Sequence, residues 1–127
     1  MRILVAEDNP DNRDLLTRRL QRQGWTVVVA EDGVAAVVQC KAELPDIVLM
    51  DIAMPRMNGL EATRILRADP HTAAVPIIAV TAHAMESNRI ECLEAGCDDY
   101  ATKPIDFLDL FAQIRALCPA NAIGEAA

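Results

Sequence analysis

Aromatic side chains are scarce in this chain, with one Trp, one Tyr and two Phe among 127 residues. So few rings mean that the core has to be built mainly from Val, Ile, Leu, Ala and Met, and the 52% hydrophobic content favours a packed globule over disorder. Apolar runs are short. None approaches the ~20 residues that a membrane-spanning helix needs. The start, Met1-Arg2-Ile3-Leu4-Val5-Ala6, turns acidic without the apolar stretch and small-residue cleavage site of a secretory signal, so a cytoplasmic location with no membrane partner is expected. Cysteine occurs only at positions 40, 92, 97 and 118, with no C-x-x-C pair. That scatter defines no disulfide framework in a chain without an export signal, and the four are expected as structural thiols. Basic charge is in deficit as well: 12 Lys and Arg against 19 Asp and Glu leave a net charge of -7. Such a field repels nucleic acid, so direct DNA binding is not expected.

What the chain does contain is an alternating pattern. The length fits one ordinary domain with a single core. Ile3-Leu4-Val5-Ala6, Val27-Val28-Val29-Ala30, Ile47-Val48-Leu49-Met50 and Ile77-Ile78-Ala79-Val80 are short, almost continuously apolar runs. Strands buried on both faces of a helix-covered parallel sheet look like this. Tyr100-Ala101-Thr102 is a weaker fifth strand.

The intervening stretches carry helix punctuation. Asn9-Pro10 suits a cap followed by Pro in the first turn, and Gly24 suits a stop after Gln23. A second helix is expected from about Gly33 to Glu43, ended by Pro45. A third starts at Asn58, where Asn58-Gly59-Leu60-Glu61 resembles a capping box, and Pro70 closes it. Met85 and Gly96 bracket the fourth, and Pro104 and Pro119 the fifth. Phe107, Leu110, Phe111, Ile114, Leu117 and Cys118 form the fifth helix's buried stripe. Five βα units in a row argue for an α/β, doubly wound parallel sheet.

Ligands of such sheets bind beyond the carboxyl ends of the strands. There the chain places Glu7 and Asp8 after strand one, Asp51 after strand three, Thr81 after strand four and Lys103 after strand five. Each residue alone reads as an ordinary loop or capping group; five in register do not. Three clustered carboxylates repel one another unless a cation sits among them, which makes them a candidate Mg²⁺ site, and Mg²⁺ favours one or two carboxylates plus phosphate oxygens. A carboxylate in that setting can act as nucleophile and hold a phosphoryl group, with Lys103 and the Thr81 hydroxyl neutralising charge. Asp51 is the expected nucleophile.

Glu7-Asp8-Asn9, Leu49-Met50-Asp51-Ile52-Ala53-Met54-Pro55-Arg56-Met57-Asn58-Gly59, Val80-Thr81-Ala82 and Thr102-Lys103-Pro104 together resemble the signatures of response-regulator receiver domains, in the family's order. The resemblance covers residues 1–118, and the remaining 119–127 is expected to be a flexible tail. It implies a flavodoxin-like (βα)5 fold with strand order 2-1-3-4-5. Asp51 would be the phosphoacceptor in a Mg²⁺-dependent reaction, Mn²⁺ being an alternative ion. Glu7 and Asp8 would hold the metal, one of them through water, and the Ala53 backbone carbonyl would be a further ligand. Lys103 would pair with the phosphoryl group, Lys103-Pro104 would be a cis peptide, and Thr81 and Tyr100 would be the switch pair.

The same resemblance makes Ala53 and His83 the rate-modulating positions, although His83 also reads as a plain exposed loop residue. Asn12, Leu15, Pro104 and Ile105 match the patch on which a sensor histidine kinase or histidine phosphotransfer protein docks, with Leu15 alternatively a core residue. A downstream protein target is expected on the face of helix four, strand five and helix five. Leu108, Phe111 and Arg115 would form a second row beside it, with Phe111 either an exposed anchor or buried. Trp25, far from the acidic edge, reads as packing.

Two other classes account for the chain less well. A haloacid-dehalogenase-type phosphatase wants a second acid two residues beyond its nucleophile, where this chain has Ala53. A nucleotide-binding flavodoxin-like protein wants a Gly-rich loop after strand one, where Glu7-Asp8-Asn9-Pro10 is acidic and Gly-free. The expectation is a phosphoacceptor switch and not an enzyme acting on outside substrates, with no DNA-binding output domain.

Overall fold

Successive side chains of a strand point to opposite faces of the sheet, so each apolar run feeds two cores. The computed structural model describes residues 1–82 and 85–118. Its elements are β1 (Arg2–Ala6), α1 (Pro10–Gln21), β2 (Thr26–Ala30), α2 (Gly33–Ala42), β3 (Ile47–Asp51), α3 (Gly59–Ala68), β4 (Ile77–Thr81), α4 (Glu86–Ala95), β5 (Asp99–Thr102) and α5 (Phe107–Leu117). The five strands are parallel, in the order β2-β1-β3-β4-β5, which is the expected flavodoxin-like arrangement.

Ile3, Val5, Ile47, Leu49, Ile78 and Val80 pack with Leu16 and Leu20 of α1 and with Leu110, Phe111 and Ile114 of α5. Their neighbours Leu4, Ala6, Val48, Met50, Ile77 and Ala79 meet Ala36 and Cys40 of α2, Ala62 and Leu66 of α3, and Cys92 and Ala95 of α4. The four cysteines are buried free thiols, and burial pushes all of them up, Cys97 to about 11. Trp25 is packing, as expected, edge-on to Phe111 with ring centroids 5.9 Å apart.

The structure revises several expectations. Only β3 and β4 are buried along their whole length, with β1 buried from Ile3 onward; β2 lies at the sheet edge with Thr26 and Val29 exposed, and β5, at the other edge, is half-buried throughout. The first helix ends at Gln21, two residues before the expected stop, while Gly24 takes the left-handed φ of +88° in the turn that follows. The third keeps its expected cap, Asn58, which accepts from the Glu61 amide, and runs from Gly59 to Ala68. Phe111 is not an exposed anchor: it is 5% exposed, between Trp25 and Phe107, because the core stripe claims it. Leu108, on the opposite face of α5, is 78% exposed. Leu15 is resolved the other way, 47% exposed while its neighbour Leu16 fills the core.

Candidate functional site

β1, β3 and β4 end beside one another, so the residues closing them are brought together without any long loop. Asp51 and Thr81 are the last residues of β3 and β4, and Glu7 continues β1 by donating its amide to the Ala30 carbonyl at 3.0 Å. Asn9 then starts α1, its side chain accepting from the Asp11 and Asn12 amides. Lys103 enters from the end of β5, its amide donating to the Thr81 carbonyl at 2.7 Å, and the Lys103-Pro104 peptide is cis.

Glu7, Asp8, Asp51, Ala53, Thr81 and Lys103 line one open cleft of about 250 Å³. Glu7 is 1% exposed and Asp51 3%, whereas Asp8 is exposed at the rim. Glu7, Asp8 and Asp51 each offer a carboxylate oxygen, and these atoms lie within 4.8 Å of one another. Hard oxygen donors at that spacing fit a small divalent cation and do not suit a soft one.

The ammonium of Lys103 donates to Glu7 Oε1 at 2.8 Å and to Asp51 Oδ2 at 3.2 Å. Burial pushes the Asp51 carboxyl up to about 7, reinforced by the hydrogen bond and charge of Glu7 and opposed by Lys103. Burial works to raise Glu7 too, yet hydrogen bonds from Asp51 and Lys103 and the ammonium charge hold it below its ordinary value. For Lys103, burial works against the charge, but the two carboxylates outweigh it and raise the ammonium above its ordinary value. The two acids are thus pushed in opposite directions, Glu7 toward its ionised form and Asp51 toward its protonated one. A cation placed among the acids would release that proton.

Gly59 sets how closely α3 approaches the acceptor. A Cβ there would lie 2.2 Å from the Asp51 carbonyl oxygen, and the Gly59 amide donates to the Ile52 carbonyl at 3.0 Å. The loop after Asp51 is folded back on itself, with the Ala53 amide donating to Asp51 Oδ1 at 3.1 Å.

Of the remaining expected residues, Asn12, Leu15, Pro104 and Ile105 line a second groove of about 450 Å³ with Leu16, Phe107, Glu7 and Lys103. The two depressions thus share Glu7, Asn12 and Lys103. Tyr100 is half-buried, its carbonyl accepting from Gln113 Nε2 at 2.9 Å, with the Arg89 guanidinium 5.9 Å from its ring centre. His83 and the 119–127 tail lie outside the described residues.

Sequence reasoning missed several groups. Arg13 donates to the Glu7 carbonyl at 3.1 Å. Buried Asp32 caps α2 through the Ala35 amide and pairs with Arg56, which has a positive φ of 65°. Asp32 stands directly before Gly33, a usable cap signal. Arg67 binds the carbonyls of Ala73, Val75 and Gly96 and pairs with Asp98, and no local pattern announces it.

Comparison with known proteins agrees with this geometry. The family described as response regulator receiver domain matches residues 3–115, and the chain belongs to it. It is 41% identical to protein PilH of Pseudomonas aeruginosa over 116 residues, 91% of this chain and 96% of that protein. It is also 41% identical to the response regulator PleD of Caulobacter vibrioides over 116 residues, but these span only 26% of PleD. Among solved structures, the receiver domain of sensor histidine kinase PA1611 of Pseudomonas aeruginosa superposes with a TM-score of 0.86 at 37% identity, covering 91% of this chain and 95% of that one. That structure carries a magnesium ion coordinated in its active site cleft. The chain is thus a receiver domain of two-component signalling. Among the described residues no helix is long and apolar enough to cross a membrane.

Proposed function

We propose that Asp51 is the phosphoacceptor of a Mg²⁺-dependent switch, with residues 1–118 as the working domain. The observation that carries this reading is the buried carboxyl of Asp51 flanked by two further acids and bonded to Lys103 in an open cleft. Glu7, Asp8 and Asp51, with the Ala53 carbonyl, would hold the ion, one acid acting through water; Mn²⁺ is the alternative. Bound there, Mg²⁺ would supply positive charge to the acids and to the phosphoryl oxygens.

The chain's own residues do the rest. Ionised Asp51 attacks the phosphorus of a phosphohistidine donor; the O–P bond forms as the donor's P–N bond breaks, and the leaving imidazole takes a proton from solvent. Lys103 neutralises the transferring oxygens and the Thr81 hydroxyl donates to one of them. Small, exposed Ala53 leaves the phosphoryl group accessible to water or a returning histidine, so the state is reversible; His83 is the second position assigned to set its lifetime. Movement of Thr81 toward the phosphoryl group makes room for the Tyr100 ring, which shifts the surface of α4, β5 and α5 toward a downstream target.

The donor, a sensor histidine kinase or histidine phosphotransfer protein, is proposed to seat on the groove of Asn12, Leu15, Pro104 and Ile105. Its connection to the acidic cleft through Lys103 and Glu7 supports that choice, and exposed Leu15 supplies an apolar contact. Leu108 remains a candidate contact for partners; Phe111 does not.

Incubation with acetyl phosphate and Mg²⁺ followed by intact-mass measurement tests the proposal. One added phosphoryl group, absent with chelator and absent in Asp51→Asn, is expected. No adduct, or one that survives Asp51→Asn, overturns it.

A further inference from the structure

Asp8 is exposed, and no hydrogen bond reaches its carboxylate among the described residues, so what the fold fixes is the backbone from which its Cβ starts. That backbone is held from both sides. The Glu7 amide donates to the Ala30 carbonyl at 3.0 Å, and the Glu7 carbonyl, which is part of the peptide plane leading into Asp8, accepts from Arg13 Nη1 at 3.1 Å. Arg13 lies one turn into α1, its own amide bonded to the Asn9 carbonyl at 2.9 Å, so the guanidinium reaches back over the turn Glu7-Asp8-Asn9. Its other contact, to Glu31 at 3.8 Å, involves a carboxylate that is 77% exposed, and such a pair contributes little. The charge-assisted bond to a backbone carbonyl is the stronger of the two.

We infer that Arg13 is a positioning residue for the metal site: by fixing the Glu7–Asp8 peptide plane it aims the Asp8 carboxylate at the ion. The inference rests on the magnesium reading above. Groups behind the direct ligands commonly set metal affinity by orienting those ligands, and removing one costs about tenfold or more.

The test is calorimetric titration of the full chain with Mg²⁺, alongside the Mg²⁺ dependence of phosphorylation by acetyl phosphate. Arg13→Met is expected to raise the Mg²⁺ dissociation constant about tenfold while the rate at saturating Mg²⁺ stays close to that of the parent. Arg13→Lys, which keeps a donor, recovers part of the affinity. Glu31→Gln and Arg18→Met, the latter removing an exposed pair with Asp14, bind like the parent. Should Arg13→Met fail to fold, Arg13→Leu carries the same comparison. Unchanged affinity in the Met or Leu variant overturns the inference, as does a loss that falls on the saturating rate instead. A parent chain that takes up no Mg²⁺ sinks the magnesium reading itself, a result distinct from either.

Discussion

The ammonium of Lys103 lies closer to Glu7, at 2.8 Å, than to Asp51, at 3.2 Å. The lysine is therefore held chiefly by the carboxylate beside the acceptor. It is one cation serving two buried acids, and its removal leaves Glu7 charged and unpaired. Lys103→Met is expected to destabilise the Mg²⁺-free protein by about 1–3 kcal/mol at pH 8. Millimolar Mg²⁺ should restore part of that loss in a thermal melt, because a cation among the acids replaces the missing charge. A variant as stable as the parent without Mg²⁺ would mean that the pairing contributes nothing.

Asp51 has a pH signature whose sign follows from its environment. Burial first, and Glu7 second, push its carboxyl from an ordinary 3.8 up to about 7. Between those values the folded chain holds a proton that the unfolded chain has released, so Asp51 costs stability as pH rises through the window, and the cost levels off above about 7. Glu7 acts oppositely: its lowered value contributes stability above the ordinary carboxylate range that is lost as pH falls through the folded value. Without Mg²⁺, Asp51→Asn should melt higher than the parent at pH 8, by a few degrees, roughly what 1–2 kcal/mol produces in a domain of this size. The gap should narrow at pH 5. A gap independent of pH would contradict the shared-proton description.

Close approach of α3 to the acceptor makes Gly59 a sensitive position. A Cβ there meets the Asp51 carbonyl oxygen at 2.2 Å and the Met50 side chain at 2.9 Å, so backbone has to move. Gly59→Ala is expected to cost about 1–3 kcal/mol or more, the range for overpacking, and to slow phosphorylation. Gly24→Ala has open space and meets only the φ of +88°, so it should cost about 1 kcal/mol and leave phosphorylation unchanged. Urea denaturation and acetyl phosphate kinetics on both variants check the contrast.

Phe111 and Leu108 should separate stability from recognition. Phe111 packs edge-on to Trp25, so Phe111→Ala is expected to cost about 3–5 kcal/mol and to shift Trp25 fluorescence. Leu108→Ala should stay within about 0.5 kcal/mol of the parent. If Leu108 contacts a partner, its loss appears in binding and not in denaturation.

The sequence makes the interior strands and the acidic edge readable for the same reason. Strands buried on both faces must be apolar throughout, so the polar residues at their ends stand out, as Glu7, Asp51 and Thr81 do. β5 is less legible because its half-buried positions impose no such purity. The helix stripe placed Phe111 in two overlapping rows, and only packing against Trp25 decides between them. Leu15 and Leu16 pose the same ambiguity, settled by which one faces β1. Arg13 and Arg67 were invisible because a long side chain reaching a backbone carbonyl depends on three-dimensional proximity: Arg67 spans 29 residues to Gly96.

The identity of the acceptor is the central claim, and reductive trapping addresses it directly. After acetyl phosphate and Mg²⁺ treatment, borohydride converts an aspartyl phosphate to homoserine, and peptide sequencing by mass spectrometry locates the change. The account predicts homoserine at position 51 alone, lost when Mg²⁺ is chelated. Conversion at Asp8 or another carboxylate, or none at all under conditions that label a known receiver, would contradict it.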